Sequence, residues 1–246
     1  MLETLHANAN VAVFGASGGI GGAFVEQLAA DPSIASVHAF SRTPIESAHA
    51  KVVARSVVYD DDEALRDAAQ LATAEQPLDL VIVASGILHR AAELRPEKSL
   101  RDLSAANMAE VFAVNTILPA MLAKHFLPCL RRGHKTVFAA LSARVGSIAD
   151  NRLGGWVSYR ASKAALNMVL KTLAIEHARR WPESVLVALH PGTVDTRLSK
   201  PYSGGVPEQK LFSTAQSANY LLGVIDELQA ADSGGFFAWD GSRIPY

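Results

Sequence analysis

The 246-residue sequence predicts an α/β domain, a doubly wound parallel sheet of about seven strands with helices on both faces. Three observations predict it. Short apolar runs alternate with longer amphipathic or alanine-rich stretches from end to end. Several runs, Leu80-Val-Ile-Val-Ala84 among them, are apolar at every position, as strands covered on both faces are. Five of the seventeen glycines crowd between Gly15 and Gly22, directly after the first apolar run.

The first strand is expected at 11–14, then a glycine turn and a helix over 19–30. Strands at 37–40 and 56–59 precede a helix over 61–74, whose acidic opening suits the positive end of a helix dipole. A fourth strand at 80–84, a helix over 104–126 and a fifth strand at 136–141 follow. The remainder reads as a long helix over 159–180, a strand at 185–190, a helix over 213–228 and a last strand at 236–239. No linker or repeat divides residues 1–246, which are expected to form one domain. The segment of about 197–212, with Pro201, Gly204, Gly205 and Pro207, is the expected substrate loop, since loops at strand C-termini build the crevice of such sheets.

Composition narrows the function. Hydrophobic residues at 49% exclude a disordered chain, and 23 basic against 24 acidic residues supply no basic excess for a nucleic-acid partner. The single cysteine fits a reducing compartment. No basic, apolar leader opens the chain, and the longest apolar helical stretch, 111–123, falls short of the roughly 18 residues that span a bilayer. A cytoplasmic protein without membrane contact is expected. The histidines show no i, i+3 or i+4 pair, so no metal site is indicated.

The glycine cluster carries the first chemistry. In Gly15-Ala-Ser-Gly-Gly-Ile-Gly21, glycine gives the tight turn, the close approach of a pyrophosphate and the packing of helix on strand. The free N–H groups of the helix start then favour phosphate, so Gly15, Ser17, Gly18, Gly19, Ile20 and Gly21 are expected to bind a dinucleotide. The same residues satisfy G-x-S-x-G, the nucleophile elbow, with Ser17 as nucleophile and Asp150 or Asp195 with His190 as partners. That elbow, however, would sit on the first strand and leave Gly21 and Gly22 without a role. After the second strand, Ser41-Arg42 stands where an acidic residue would bind a ribose 2′-hydroxyl; an arginine suits a 2′-phosphate, hence NADP(H) over NAD(H).

Tyr159 and Lys163, at i and i+4, share one helix face. The lysine charge is expected to lower the tyrosine pKa and make it a proton donor or acceptor for a carbonyl or alcohol. With the glycine cluster, Asp60 after the third strand, Asn115, Leu141-Ser-Ala-Arg-Val-Gly-Ser147, Pro191-Gly-Thr-Val-Asp-Thr196 and Gly235-Phe-Phe-Ala-Trp-Asp-Gly241, the sequence resembles the short-chain dehydrogenase/reductases and their C-factor-like branch. The resemblance implies a Rossmann-like fold with Tyr159 as general acid/base and Lys163 holding the nicotinamide ribose. It implies that Asn115 supports a water and that Ser142 bonds the substrate oxygen. It also implies that Asp60 meets the adenine, that Ala84 and Gly86 meet the cofactor through backbone, and that Pro191, Gly192, Val194 and Thr196 flank the nicotinamide.

Two departures stand out. Val83-Ala-Ser-Gly86 replaces the common Asn-Asn-Ala-Gly, and Ala143 occupies the family's usual serine slot. Ser142 is offset by one residue, which on a regular strand reverses the face; Ser147 is the alternative. The expected activity is NADPH-dependent reduction of a small-molecule carbonyl compound, or the reverse alcohol oxidation. A cofactor-binding sensor without turnover is the rival reading. Trp156, Tyr202, Phe212 and Trp239 are candidate pocket linings, and a homodimer or homotetramer through the two long helices is expected.

Overall fold

Strand β1 (Ala9–Phe14) is buried at every residue and pairs in parallel with β2 (Ile34–Ser41) on one side and β4 (Leu80–Val83) on the other. In the computed structural model, which describes residues 2–90, 93–202, 204 and 207–246, these strands belong to a seven-stranded sheet. Its other members are β3 (Val52–Ser56), β5 (Thr136–Leu141), β6 (Ser184–His190) and, after the short β7 (Thr193–Val194) and β8 (Leu211–Phe212), β9 (Phe236–Ala238). The order is β3-β2-β1-β4-β5-β6-β9, all parallel. The chain therefore departs from β1 toward one edge and returns to β4 on the other side. That reversal opens a crevice at the C-terminal ends of β1 and β4.

Alternation along each strand makes two cores. Val11 and Val13 face α1 (Gly19–Ala30) and α6 (Thr214–Glu227), where Phe24, Leu28, Leu221 and Ile225 are buried. Ala12 and Phe14 face the other layer, with Leu65 of α2 (Asp62–Ala72), Phe126 of α4 (Leu118–Phe126) and Leu166 of α5 (Val157–His177). Phe14, Phe40 and Phe126 form the aromatic centre of that layer, with ring centroids at 4.9 Å and 4.8 Å from Phe14.

Two expectations need correction. The third strand is Val52–Ser56 rather than 56–59. As the edge strand it is only partly buried and lacks the apolar signature, whereas Val57 continues past it, its N–H on Ser41 O at 2.9 Å. The apolar helix is also longer than 111–123. It runs without a break from α3 (Ala105–Phe112) through a π turn at Ala113–Ile117 into α4 and ends at Cys129. With 25 residues and a mean hydropathy of 1.3 it has the length and composition to cross a bilayer. Here Val111, Leu118, Leu122 and Phe126 are buried, the last three against the sheet. Pro119 has no N–H to give the carbonyl of Asn115, and the helix widens there instead of breaking.

Candidate active site

The glycine turn is built by exclusion. Gly15 has φ +79°, and a Cβ on it would lie 2.8 Å from Ser85 N; a Cβ on Gly21 would lie 2.1 Å from Gly15 O. α1 begins at Gly19 behind an extended Gly18, and no side chain caps its start. The N-terminal amides therefore keep their capacity for an anion. A cavity of about 460 Å³ opens there, lined by Ser17, Gly18, Gly19, Ile20, Gly21, Ala84, Gly86, Thr196, Arg197 and Leu198. The first eight are residues the sequence predicts; Arg197 and Leu198 are not. Thr196 and Thr214 approach from the far side, 3.1 and 2.9 Å from where a Gly19 Cβ would stand.

At the end of β2, Ser41 is buried and its hydroxyl donates to Thr43 O, so it shapes the turn while Arg42 stays exposed beside it. Asp60 is exposed in the turn before α2, whose cap is Asp61, accepting from Glu63 N and Ala64 N at 2.9 and 3.2 Å. Tyr59, which sequence reading missed, fills the corner between them. Its hydroxyl accepts the Gly15 N–H at 3.0 Å and donates to Phe40 O at 3.1 Å. Burial pushes its pKa up, and the Arg42 charge works against that.

Asn115 sits in the π turn and is fully buried. Its Oδ1 accepts Ile87 N and its Nδ2 donates to Ile87 O, both at 2.8 Å, with a further contact to Ser162 Oγ at 3.1 Å. Ser162 Oγ in turn donates to Tyr159 O at 2.8 Å. The amide thus clamps the loop after β4 to the first turns of α5. Lys163 Nζ donates to Leu141 O at 2.8 Å and stands 5.9 Å from the Tyr159 ring centroid. Gly86 joins this group to the cavity: a Cβ there would lie 3.5 Å from Asn115 Oδ1 and 3.7 Å from Lys163 Nζ.

The electrostatics correct one expectation. Burial pushes Tyr159 up to about 12 and Lys163 down to about 7. Desolvation penalises the phenolate and the ammonium alike, so Tyr159 moves away from neutrality rather than toward it.

Ser142 lies just past β5, where its N–H continues the ladder onto Leu189 O at 2.8 Å and the following Ala143 is extended (φ −146°, ψ 144°). Its Oγ donates to Asn167 Oδ1 at 2.8 Å. Ser147, the alternative, is buried and accepts Asp150 N at 3.1 Å. Ser142 Oγ thus gives its proton to α5, one turn beyond Lys163, whereas Ser147 Oγ takes an N–H from its own loop.

The stretch after β6 is shaped by Gly192, at φ +79°, where a Cβ would meet Phe212 Cε2 at 2.7 Å. Pro191 O accepts Ser217 Oγ at 2.9 Å, and Val194 is buried in β7, paired with Phe212 of β8. Of the expected substrate loop, Ser203, Gly205 and Val206 lie outside the described residues. The hydrolase arrangement is not assembled. Ser17 is exposed on the turn, His190 feels the charges of Arg144 and Asp240, and Asp150 pairs with Arg144 at 3.2 Å.

Comparison with known proteins gives the same reading. The family model for short chain dehydrogenase matches residues 9–205. C-signal of Myxococcus xanthus is 37% identical over 149 residues, 60% of this chain and 84% of that protein. 1-Hydroxy-2-glutathionyl-2-methyl-3-butene dehydrogenase of Rhodococcus sp. (strain AD45) is 36% identical over 133 residues, 54% of this chain and 56% of that enzyme. Among solved structures, the NADPH-bound carbonyl reductase from chicken fatty liver superposes with a TM-score of 0.84 at 27% identity, covering 99% of this chain and 97% of that one. Carbonyl reductase Sniffer of D. melanogaster shares the fold, with a TM-score of 0.82 at 22% identity over 98% of this chain and all of that one. The match over residues 9–205, with the likeness to C-signal, places the chain in the short chain dehydrogenase family of oxidoreductases.

Proposed function

We propose that this protein is an NADPH-dependent carbonyl reductase, or an alcohol dehydrogenase in the reverse direction. The observation that carries the reading is the meeting at Gly86 of the glycine-lined cavity with the buried Asn115–Lys163–Tyr159 group. The cradle suits a dinucleotide: side chains are excluded at Gly15 and Gly21, and the α1 amides have no side-chain cap. In this reading the residues from Gly15 to Gly21 hold the pyrophosphate and Arg42 the 2′-phosphate. Asp60 serves the adenine, Ala84 and Gly86 give backbone contacts, and Pro191, Gly192, Val194 and Thr196 border the nicotinamide. When bound, the cofactor supplies the hydride.

The protein's own part is the proton. A phenol held at about 12 stays protonated at neutral pH, the state needed to donate to a carbonyl oxygen. Lys163, held on Leu141 O, and Asn115, held on Ile87 and Ser162, fix the first turns of α5 that carry Tyr159. Ser142 is left to steady Asn167. NADPH oxidation against a panel of aldehydes and ketones tests the reading. Tyr159→Phe should lower kcat by about 10²–10⁴-fold with the NADPH Kd unchanged; retained turnover would assign the proton elsewhere.

Ala143 in the usual serine slot, with the Ser142 proton given to Asn167, favours one second reading, a cofactor-binding sensor without turnover. NADPH binding with no oxidation by any panel member would establish it.

The homo-oligomer finds support in exposed apolar side chains on the two long helices: Ile117, 55% exposed, and Met168 and Ile175, 66% and 57% exposed. The last two are seven residues apart on one face of α5. Met168→Glu should convert an oligomer to a monomer in sedimentation velocity; an unchanged species would place the interface elsewhere.

A further inference from the structure

Of the four aromatic residues that the sequence offers as pocket lining, two pack together in a separate cluster. Phe212 and Trp239 pack on each other with centroids at 4.6 Å and on Tyr220 at 5.3 and 5.2 Å, a cluster closed on itself above Gly192. The other two belong to a chain of rings that begins at Tyr159. Trp156, immediately before α5, has its ring 6.4 Å from that of Tyr159, and Tyr202 meets Trp156 at 5.0 Å. A third ring, His89 from the loop after β4, meets Tyr202 at 5.7 Å. All three contacts are edge-to-face, at 76°, 66° and 69°, and all three residues are only partly buried.

The assembly is held in place. Gly154, Gly155 and Trp156 have φ of +62°, +67° and +52° in succession, and Trp156 is one of two described non-glycine residues with positive φ. That conformation is rare for a bulky side chain. It is fixed by Trp156 N on Glu97 O at 2.6 Å and by the buried Glu97 carboxylate, which accepts Ser158 N at 3.2 Å and the Ser158 hydroxyl. On the other side His89 Nε2 donates to Arg197 O at 3.0 Å, and Arg197 lines the dinucleotide-sized cavity. The wall therefore spans three separate segments, with Trp156 beside Tyr159 at one end and His89 tied to the cavity lining at the other.

We propose that Trp156, Tyr202 and His89 form a substrate wall selecting flat, conjugated carbonyl compounds, aryl aldehydes and ketones, over saturated ones of the same size. Ring faces not used in the edge-to-face contacts offer a quadrupole to a planar π-system, and a puckered saturated ring gains nothing from it. The proposal rests on the reductase reading, since it orients the carbonyl toward Tyr159.

The test compares benzaldehyde with cyclohexanecarboxaldehyde in wild type, Trp156→Leu and Tyr202→Leu. Each variant should reduce the aryl-to-saturated ratio of kcat/KM about three- to tenfold while the KM for NADPH stays within about twofold. Tyr202, on the loop, keeps the test available if the Trp156 variant does not fold. A ratio unchanged in both folded variants, or in Tyr202→Leu alone if only that one folds, overturns the wall. If neither aldehyde is reduced, equilibrium dialysis with benzyl alcohol and cyclohexylmethanol decides. A benzyl alcohol preference lost in the variants supports the wall while the reductase reading fails. Equal Kd values overturn the wall.

Discussion

In the proposed reading, Arg42 is the residue on which cofactor choice turns. It stands exposed at the end of β2, and its charge reaches the Tyr59 phenol that closes the glycine turn. A charge-assisted hydrogen bond contributes about 1.5–3 kcal/mol, so Arg42→Asp should move the NADPH/NADH ratio of kcat/KM toward NADH by roughly tenfold to a hundredfold. A ratio that does not move would remove Arg42 from the phosphate site. The glycine turn and the Tyr159–Lys163 pair were legible in the sequence because each belongs to a short local pattern. Burial was not. The spacing of Tyr159 and Lys163 shows their shared face, but the direction of their pKa shifts depends on how much water the fold removes from both, and there the expectation reversed. Ser142 lies between these cases: the offset by one residue was visible, and its partner Asn167, 25 residues on, was not.

Among the elements, α5 bears Tyr159, the proposed proton donor, and its start is the least legible part of the candidate site. The helix begins without a side-chain cap from Trp156. The acceptor comes instead from Glu97, 61 residues before Ser158, and no local pattern announces a contact of that separation. A buried carboxylate at a helix N-terminus satisfies orphan donors and complements the dipole. Glu97→Gln keeps the shape and removes the charge, so it should lower unfolding free energy by about 1–2 kcal/mol in urea titration. Wild-type stability in that variant would show that the charge does not matter there. β3 escaped exact placement for a related reason: an edge strand is specified by its neighbour β2 rather than by its own apolar pattern. Tyr59 was missed likewise, because its value lies in reaching Gly15 and Phe40 from another strand end.

At the scale of the whole molecule, the parallel order with its reversal between β1 and β4 was legible, since fully apolar strands admit few other arrangements. The same covering of the sheet buries bases, and this has a consequence for stability. His38, His177 and His190 all have pKa values lowered by burial, His190 from 6.5 to about 4 with Arg144 adding to the shift and Asp240 opposing it. The unfolded chain therefore binds more protons than the folded one between these values. The histidine contribution is fully present above pH 6.5 and is lost as pH falls toward 4, with His190 alone worth on the order of 3 kcal/mol. Lys163 extends the trend, since its folded value of about 7 lies below its ordinary 10.5, and stability should keep rising past neutrality. Tyr159 reverses it: above pH 10 the unfolded phenol ionises while the folded one holds to about 12. Thermal denaturation from pH 4 to pH 8 should show Tm climbing with pH, and His190→Gln, which cannot take up a proton, should flatten the acid limb. An acid limb as steep in the variant as in wild type would assign the loss to carboxylates released on unfolding.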